Sequence, residues 1–292
     1  MLENIKSGII DTHVHIGGSD YLDGGLNRLY TVKDLESIPF PVIAKSHFLP
    51  YAQEGKNNFG SITLNNGFNP EYVYEIAREM SKKWVVWGPT LNALAHINAV
   101  SGDIAWKKLF KGVVLSNPIS VLDEHRNLRS EVIETLQAIK ETGTIFATGH
   151  LSSEEVMKTI NEAINVGIPK IILSHVSSRH NRLSVDDQLS LIRAGEAKGT
   201  SIYSEHCAIT YIDGKPGAYN LLDDFVVPIQ LVGPEHCIIS SDCGRVVPQD
   251  SNKPTTPFDC LEQFTSLLHE NGLTINAIHQ MVISNPKKLL EC

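Results

Sequence analysis

Eight short β-branched runs recur along the chain, separated by longer amphipathic segments, and this alternation constrains the fold more than any other feature. The runs are 7–15, 41–47, 60–65, 83–88, 143–148, 170–174, 200–204 and 237–241. Strand and helix patterns in strict alternation call for parallel strands joined by crossovers. Eight such units in 292 residues predict an α/β fold of the (β/α)8 barrel type, one domain over residues 1–292, rather than an open sheet. With 42% apolar residues the chain can fill a core of that size.

The intervening helices are legible from apolar spacing and end signals. The segment 130–141 places Val132, Ile133, Leu136 and Ile139 on one face. Ser152 is a good N-cap before Ser153-Glu154-Glu155, and Gly167-Ile168-Pro169 stops that helix. Further helices are predicted over 185–197, stopped by Gly199, and over 258–270 and 275–282. Long segments at 16–40, 48–59, 91–129, 211–228 and 245–257 all follow strands, and 91–129 contains an extra apolar run, Gly112-Val113-Val114-Leu115. Loops after barrel strands build the site-bearing face, so these long ones predict walls or lids of a site.

Charge and cysteine usage narrow the function. Formal net charge is −8, and no run of Lys or Arg exceeds two, which argues against a nucleic-acid partner. No apolar stretch reaches the ~20 residues of a membrane span, and the first residues are polar, so a cytoplasmic protein with no membrane partner is expected. Five scattered cysteines (Cys207, Cys237, Cys243, Cys260, Cys292) form neither a zinc-binding CxxC nor a disulfide framework.

The chemistry concentrates at the strand ends. The first run closes Asp11-Thr12-His13-Val14-His15, and residues two apart on a strand share a face. His13 and His15 therefore offer two imidazoles side by side, as a pair of ligands to one divalent ion would require. Lys45 and His47 repeat the spacing on the second run. His150 follows the fifth run, His175 the sixth, Glu205 and His206 the seventh, and Asp242 the eighth.

This arrangement resembles the amidohydrolase superfamily, whose mark is a His-x-His pair on strand one, single histidines on strands five and six, and an aspartate on strand eight. The matching positions are His13, His15, His150, His175 and Asp242, and Ser284-Asn285-Pro286-Lys287-Lys288-Leu289-Leu290 is similar to the family's usual ending. The resemblance implies a barrel with one or two divalent metal ions, zinc first, with manganese, iron or cobalt as alternatives. It implies His13, His15, His150, His175 and Asp242 as metal ligands and Asp242 as the catalytic acid–base group. Family members usually bridge two metals from strand four, but here that strand ends Trp87-Gly88-Pro89-Thr90. Lys45 on strand two is the substitute, either carboxylated as a metal ligand or as an ammonium paired with Glu205 or a substrate carboxylate. If only one metal binds, His175 becomes a candidate acid or base.

His47, His206 and Arg179 are candidate substrate-binding residues, while His269 and His279 are expected on the surface and Cys243, Trp84, Trp87 and Trp106 in packing. The expected activity is a metal-dependent hydrolase acting on an amide, cyclic amide or lactone of a small polar molecule, with C–N bonds other than peptide bonds the first choice. Phosphoester hydrolysis, single-metal decarboxylation and a catalytically dead binding module are the alternatives. A homo-oligomer is expected by analogy with such barrels.

Overall fold

A computed structural model describes residues 2–49, 54–102, 117–178, 181–212, 221–245 and 256–292. Arg179, His180, Trp106 and the run 112–115 lie outside them. Each of the eight expected runs coincides with a strand: β1 (Asp11–His15), β4 (Val42–Lys45), β6 (Ser61–Thr63), β7 (Val85–Trp87), β8 (Ile145–Ala147), β9 (Lys170–Leu173), β10 (Ser201–Cys207, which runs past its expected end) and β11 (Cys237–Ser240). Three two-residue strands were not anticipated: β2 (Leu22–Asp23) and β3 (Leu26–Asn27), which form an antiparallel hairpin, and β5 (Asn58–Phe59), which pairs with β4.

The result is mixed α/β with two parallel sheets, ordered β1-β4-β5 and β11-β10-β9-β8-β7-β6. The sheets meet at two seams. At one, Val14 bridges Cys243, His15 N donates to Cys243 O at 2.7 Å, and Asp242 N donates to His13 O at 2.9 Å. At the other, the Ser61 hydroxyl donates to Ala44 O and the Thr63 hydroxyl to Ser46 O, both at 2.6 Å.

Strand alternation sorts the side chains into two layers. Ile10, Ile43, Val85, Trp87, Ile145, Ala147, Ile172, Tyr203 and Ile238 form one buried cluster, with Leu289 and Leu290 packed against it. Their strand neighbours, such as Val42, Ala44, Val86, Phe146, Ile171, Leu173, Ile202 and Ile239, face the other way into a larger core with the helices. Trp84 and Cys243 sit in that outer core, as expected.

The helices follow their end signals. Ser153–Val166 starts with a complete capping box between Ser152 and Glu155, and ends at Gly167 in the left-handed region. Glu155 Oε1 also accepts from the Ser120 hydroxyl and Val121 N, at 2.9 and 3.2 Å, tying the helix start to the incoming loop. Ser130–Thr142, Val185–Glu196 and Pro257–Glu270 match their expected spans within one residue.

Three differences have physical causes. Residues Leu2–Gly8 form a 3₁₀ segment, so β1 starts later than its apolar run. The segment expected as one helix over 275–282 is a helix (Ile275–His279), a π-helical turn (Gln280–Ser284) and a second helix (Asn285–Leu290), because Pro286 cannot continue the hydrogen-bond ladder. Asn285, fully buried, donates to Pro234 O and Cys237 O at 2.7 Å each and thereby anchors this closing segment to the start of β11. Helix Asp223–Val232 contains Pro228, which had hidden it. No described helix is long and apolar enough to cross a membrane. His269 and His279 are exposed, as expected.

Candidate metal centre

Above the inner apolar cluster, the same strand faces turn polar. On β4 the alternation that buries Ile43 inward also brings Lys45 inward. On β10 it presents Tyr203, Glu205 and Cys207 in turn. β1 contributes His13 and His15, and the turn after β11 contributes Asp242. Both His175 and Asp242 adopt left-handed backbone, at φ 50° and 54°, a conformation that non-glycine residues avoid unless their surroundings hold them there. Two residues further on, Gly244 passes so close to β1 that a Cβ would stand 2.1 Å from His15 O, so only glycine fits.

The central contact joins three residues. Asp242 Oδ1 lies 2.8 Å from His15 Nε2 and 3.3 Å from His13 Nε2. His13 Nδ1 is 3.0 Å from Glu205 Oε1, which also accepts from the Ser240 hydroxyl at 3.0 Å. With Nδ1–H donated to Glu205, His13 turns the lone pair of Nε2 toward the Asp242 carboxylate. Asp242 Oδ1 has no hydrogen-bond partner among the described residues, and a cation placed there would meet both it and the His13 lone pair, which Lys45 Nζ contacts at 3.0 Å. Ligand atoms about 2.1 Å from one ion stand roughly 3.4 Å apart in a tetrahedron, close to the spacing seen. His13, His15 and Asp242 are 0, 3 and 5% exposed, so water cannot take that role freely. Buried Glu205 Oε2 and His15 Nδ1 have no hydrogen-bond partner among the described residues. The donor set fits a divalent ion.

Lys45 reaches the same cluster. Its Nζ is 3.0 Å from His13 Nε2 and 4.0 Å from the centre of the Trp87 ring, which floors the site beneath His13. A second grouping, His13, His175, Glu205 and Cys207, also brings four ligand-type atoms within 4.8 Å of one another. It shares His13, and Cys207 Sγ is already 3.3 Å from the Ser240 hydroxyl.

Burial and charge act against each other here. Burial works to raise the Glu205 carboxyl, but the charge and hydrogen bond of His13, with His175 and Lys45, outweigh it and hold it down to about 2. Burial likewise opposes ionisation of Asp242, yet Arg245, His13 and His15 keep it well below the usual carboxylate range. Burial pulls Lys45 down to about 8 against the opposing pull of Glu205 and Asp242. It also lowers His175 to about 4, and His15 and His47 well below the ordinary imidazole value, with Arg28 and then His15 respectively adding to the effect. Desolvation raises Asp11, which accepts from His13 N and Ser241 N, to about 7.

The expected residues divide by position. His13, His15, Lys45 and Asp242 converge. His175 stands beside them, its ring 5.2 Å from that of His13. His150 is one step further, 5.2 Å from His175, with its Nδ1 at 3.0 Å from His96 Nδ1. The His47 ring lies 4.6 Å from that of His15, tilted by 38°. The rings of His47, His15, His13, His175, His150 and His96 thus form one continuous arc.

His206, expected as a substrate contact, is placed away from this cluster. β10 runs on to Cys207, so alternation turns His206 to the outer face. There it lies 6.1 Å from Phe225, and Ser177 Oγ is 3.4 Å from its Nδ1. From the sequence Glu205 is only a polar strand-end residue or partner for Lys45, and Cys207 one scattered thiol. The signal that finds them is the i, i+2 spacing from Tyr203 once the strand is allowed to reach Cys207.

Comparison with solved structures gives likeness of fold. A Pseudomonas putida protein provisionally described as a 2-pyrone-4,6-dicarboxylic acid hydrolase has a TM-score of 0.51 at 12% identity, covering 97% of both chains. A triple mutant of organophosphorus hydrolase from Deinococcus radiodurans has a TM-score of 0.49 at 14% identity, covering 98% of this chain and 93% of that one. No curated protein matches the sequence. A family model does match, over residues 8–197, a stretch that includes His13, His15, Lys45, His47, His150 and His175 and stops short of Glu205 and Asp242. That stretch is well over half of the chain, and the protein belongs to the family it defines, a family of unknown function (DUF6282).

Proposed function

We propose that this protein is a metal-dependent hydrolase in which His13, His15 and Asp242 hold a divalent ion, zinc by preference, at the mouth of a closed (β/α)8 barrel. The seam hydrogen bonds at β1/β11 and β4/β6 support the closure. The observation that carries the function is the convergence of Asp242 Oδ1 on His15 Nε2 and His13 Nε2 in a buried setting. A bound divalent ion acts as a Lewis acid and makes water a nucleophile near neutral pH.

The chain's own residues do the rest. Glu205 holds His13 in the tautomer that presents Nε2. Asp242, its carboxylate aimed at the same point, accepts the proton of the attacking water and returns it to the departing amine or alkoxide. Arg245 Nη2, 3.3 Å from Asp242 Oδ2, steadies that carboxylate. Lys45, if carboxylated, adds an anionic oxygen ligand for a second ion, with His150 and His175 as its imidazole partners. The substrate is a small polar molecule with an amide, cyclic amide or lactone bond, the C–N bond first.

Phosphoester hydrolysis is the second reading. It is favoured by Arg245, whose charge acts on Asp242 and which suits an anionic substrate. The test is turnover of a panel of amides, cyclic amides, lactones and phosphoesters by protein loaded with zinc or manganese, beside Asp242→Asn. Turnover by the wild type and none by the variant is the expected result. Equal activity in both would overturn the role of Asp242.

A further inference from the structure

His47 lies in a buried polar network whose donors and acceptors can be assigned one by one. Asn65 Oδ1 accepts from two backbone groups, Thr90 N at 2.7 Å and Asn92 N at 3.3 Å. That fixes the amide orientation, because a side-chain NH2 cannot face two N–H donors. Asn65 Nδ2 therefore points the other way and donates to His47 O at 3.0 Å and to Thr90 Oγ1 at 2.8 Å. Thr90 is fully buried, and among the described residues its hydroxyl has one other partner, His47 Nδ1 at 2.7 Å.

The hydroxyl has one proton to give. Having accepted from Asn65, Thr90 keeps that proton satisfied only by donating it to His47 Nδ1. If His47 carried a proton on Nδ1, as the other tautomer or as imidazolium, the Thr90 proton would be buried without an acceptor, which is unfavourable. The chain Asn65 N–H to Thr90 O–H to His47 Nδ1 runs in one direction and leaves the proton of His47 on Nε2. Asp23 holds the backbone for this, its carboxylate accepting from His47 N at 2.9 Å and Phe48 N at 2.8 Å while paired with Arg28 at 2.8 Å. His47 Nε2 has no hydrogen-bond partner among the described residues, and the ring lies 4.6 Å from that of His15.

We propose that His47 is a neutral hydrogen-bond donor to the substrate through Nε2–H, and not a metal ligand, with Asn65 and Thr90 as the positioning residues that set its tautomer. A metal ligand must present a bare nitrogen, and this network places the bare nitrogen at Nδ1, turned away toward Thr90. An N–H beside the ion meets the oxygen on which charge builds as water adds to a carbonyl or phosphoryl group, where one fixed donor has a large effect. The inference rests on the hydrolase reading for its role in turnover, but not for the tautomer itself.

The test separates the two. Zinc-loaded protein labelled with ¹⁵N-histidine is examined by long-range proton–nitrogen correlation, His47 being assigned from His47→Gln. A pyrrole-type Nε2 and a pyridine-type Nδ1 are expected in the wild type and in Thr90→Ser, and loss of that pattern in Thr90→Val. A protonated Nδ1, or an Nε2 bound to metal, in the wild type would overturn the proposal, whether or not Thr90→Val folds. With whichever panel substrate the wild type turns over, Thr90→Val should lower kcat roughly tenfold or more with KM little changed, and Thr90→Ser should restore it. The expected tautomer with unchanged kcat in Thr90→Val would remove the donor role. Absence of turnover in the wild type, the tautomer standing, would instead overturn the hydrolase reading and the donor role with it.

Discussion

Replacing Glu205 by Gln tests whether the site works through His13 or through a ligand set that includes Glu205 itself. Glu205 is fully buried and makes two 3.0 Å contacts, one with His13 Nδ1 and one with the Ser240 hydroxyl. Glutamine keeps the volume and an acceptor oxygen, so the change removes the charge and little else. As a partner behind the ligand, Glu205 raises the basicity of His13 Nε2 and fixes its orientation, and losing such a group costs 10–100-fold in metal affinity, or about 1.4–2.7 kcal/mol. The assay is competition for zinc against a chromogenic chelator, with the thermal midpoint of the apoprotein as the folding control. Zinc affinity in Glu205→Gln should fall within that range at unchanged stoichiometry. Glu205→Ala should be worse and also destabilise the apoprotein by about 2–4 kcal/mol, since His13 Nδ1 and the Ser240 hydroxyl lose a buried acceptor. Wild-type affinity in Glu205→Gln would refute the coupling through His13. Loss of one whole equivalent of metal would show that Glu205 ligates directly, as the grouping with Cys207 and His175 allows.

Other expectations follow from the same contacts. Asp242→Asn should abolish turnover while retaining a weakened metal site, checked by activity alongside metal content. If Lys45 is a bridging ligand, mass analysis of the intact protein at neutral pH should show one added CO2 that is lost on acidification, and Lys45→Met should bind fewer ions; an unmodified lysine with full metal content would leave it an ammonium. Stripping the metal should lower stability by about 2.7 kcal/mol where the free ion had stood at 100 times Kd, read as a drop in thermal midpoint that zinc reverses. Glu155→Ala removes both the capping box and the acceptor for Val121 N, and should cost about 2–3 kcal/mol without changing zinc affinity.

Much of this was legible in the sequence because the signals are local. β-branched runs marked all eight principal strands, and Ser152, Gly167 and Gly199 punctuated the helices between them. Strand-end position alone was enough to nominate His13, His15, Lys45 and Asp242. What escaped was set by extent and direction. β10 runs three residues past its expected end, and that extension turns Glu205 and Cys207 inward and His206 outward. The helix Asp223–Val232 was masked by Pro228, and Leu94–Val100, which delivers His96 to His150, has no side-chain cap before it. The Asn65–Thr90–His47 network joins three separate strand ends, and no spacing in the chain announces it.

The central claim is that His13, His15 and Asp242 hold a divalent ion, and metal analysis of protein purified without chelator tests it most directly. The wild type should retain at least one equivalent of a transition metal through dialysis, and His13→Ala/His15→Ala should retain none while keeping its fold. A wild type that binds no transition metal even after loading with zinc, or a double variant that binds as much as the wild type, would contradict the account.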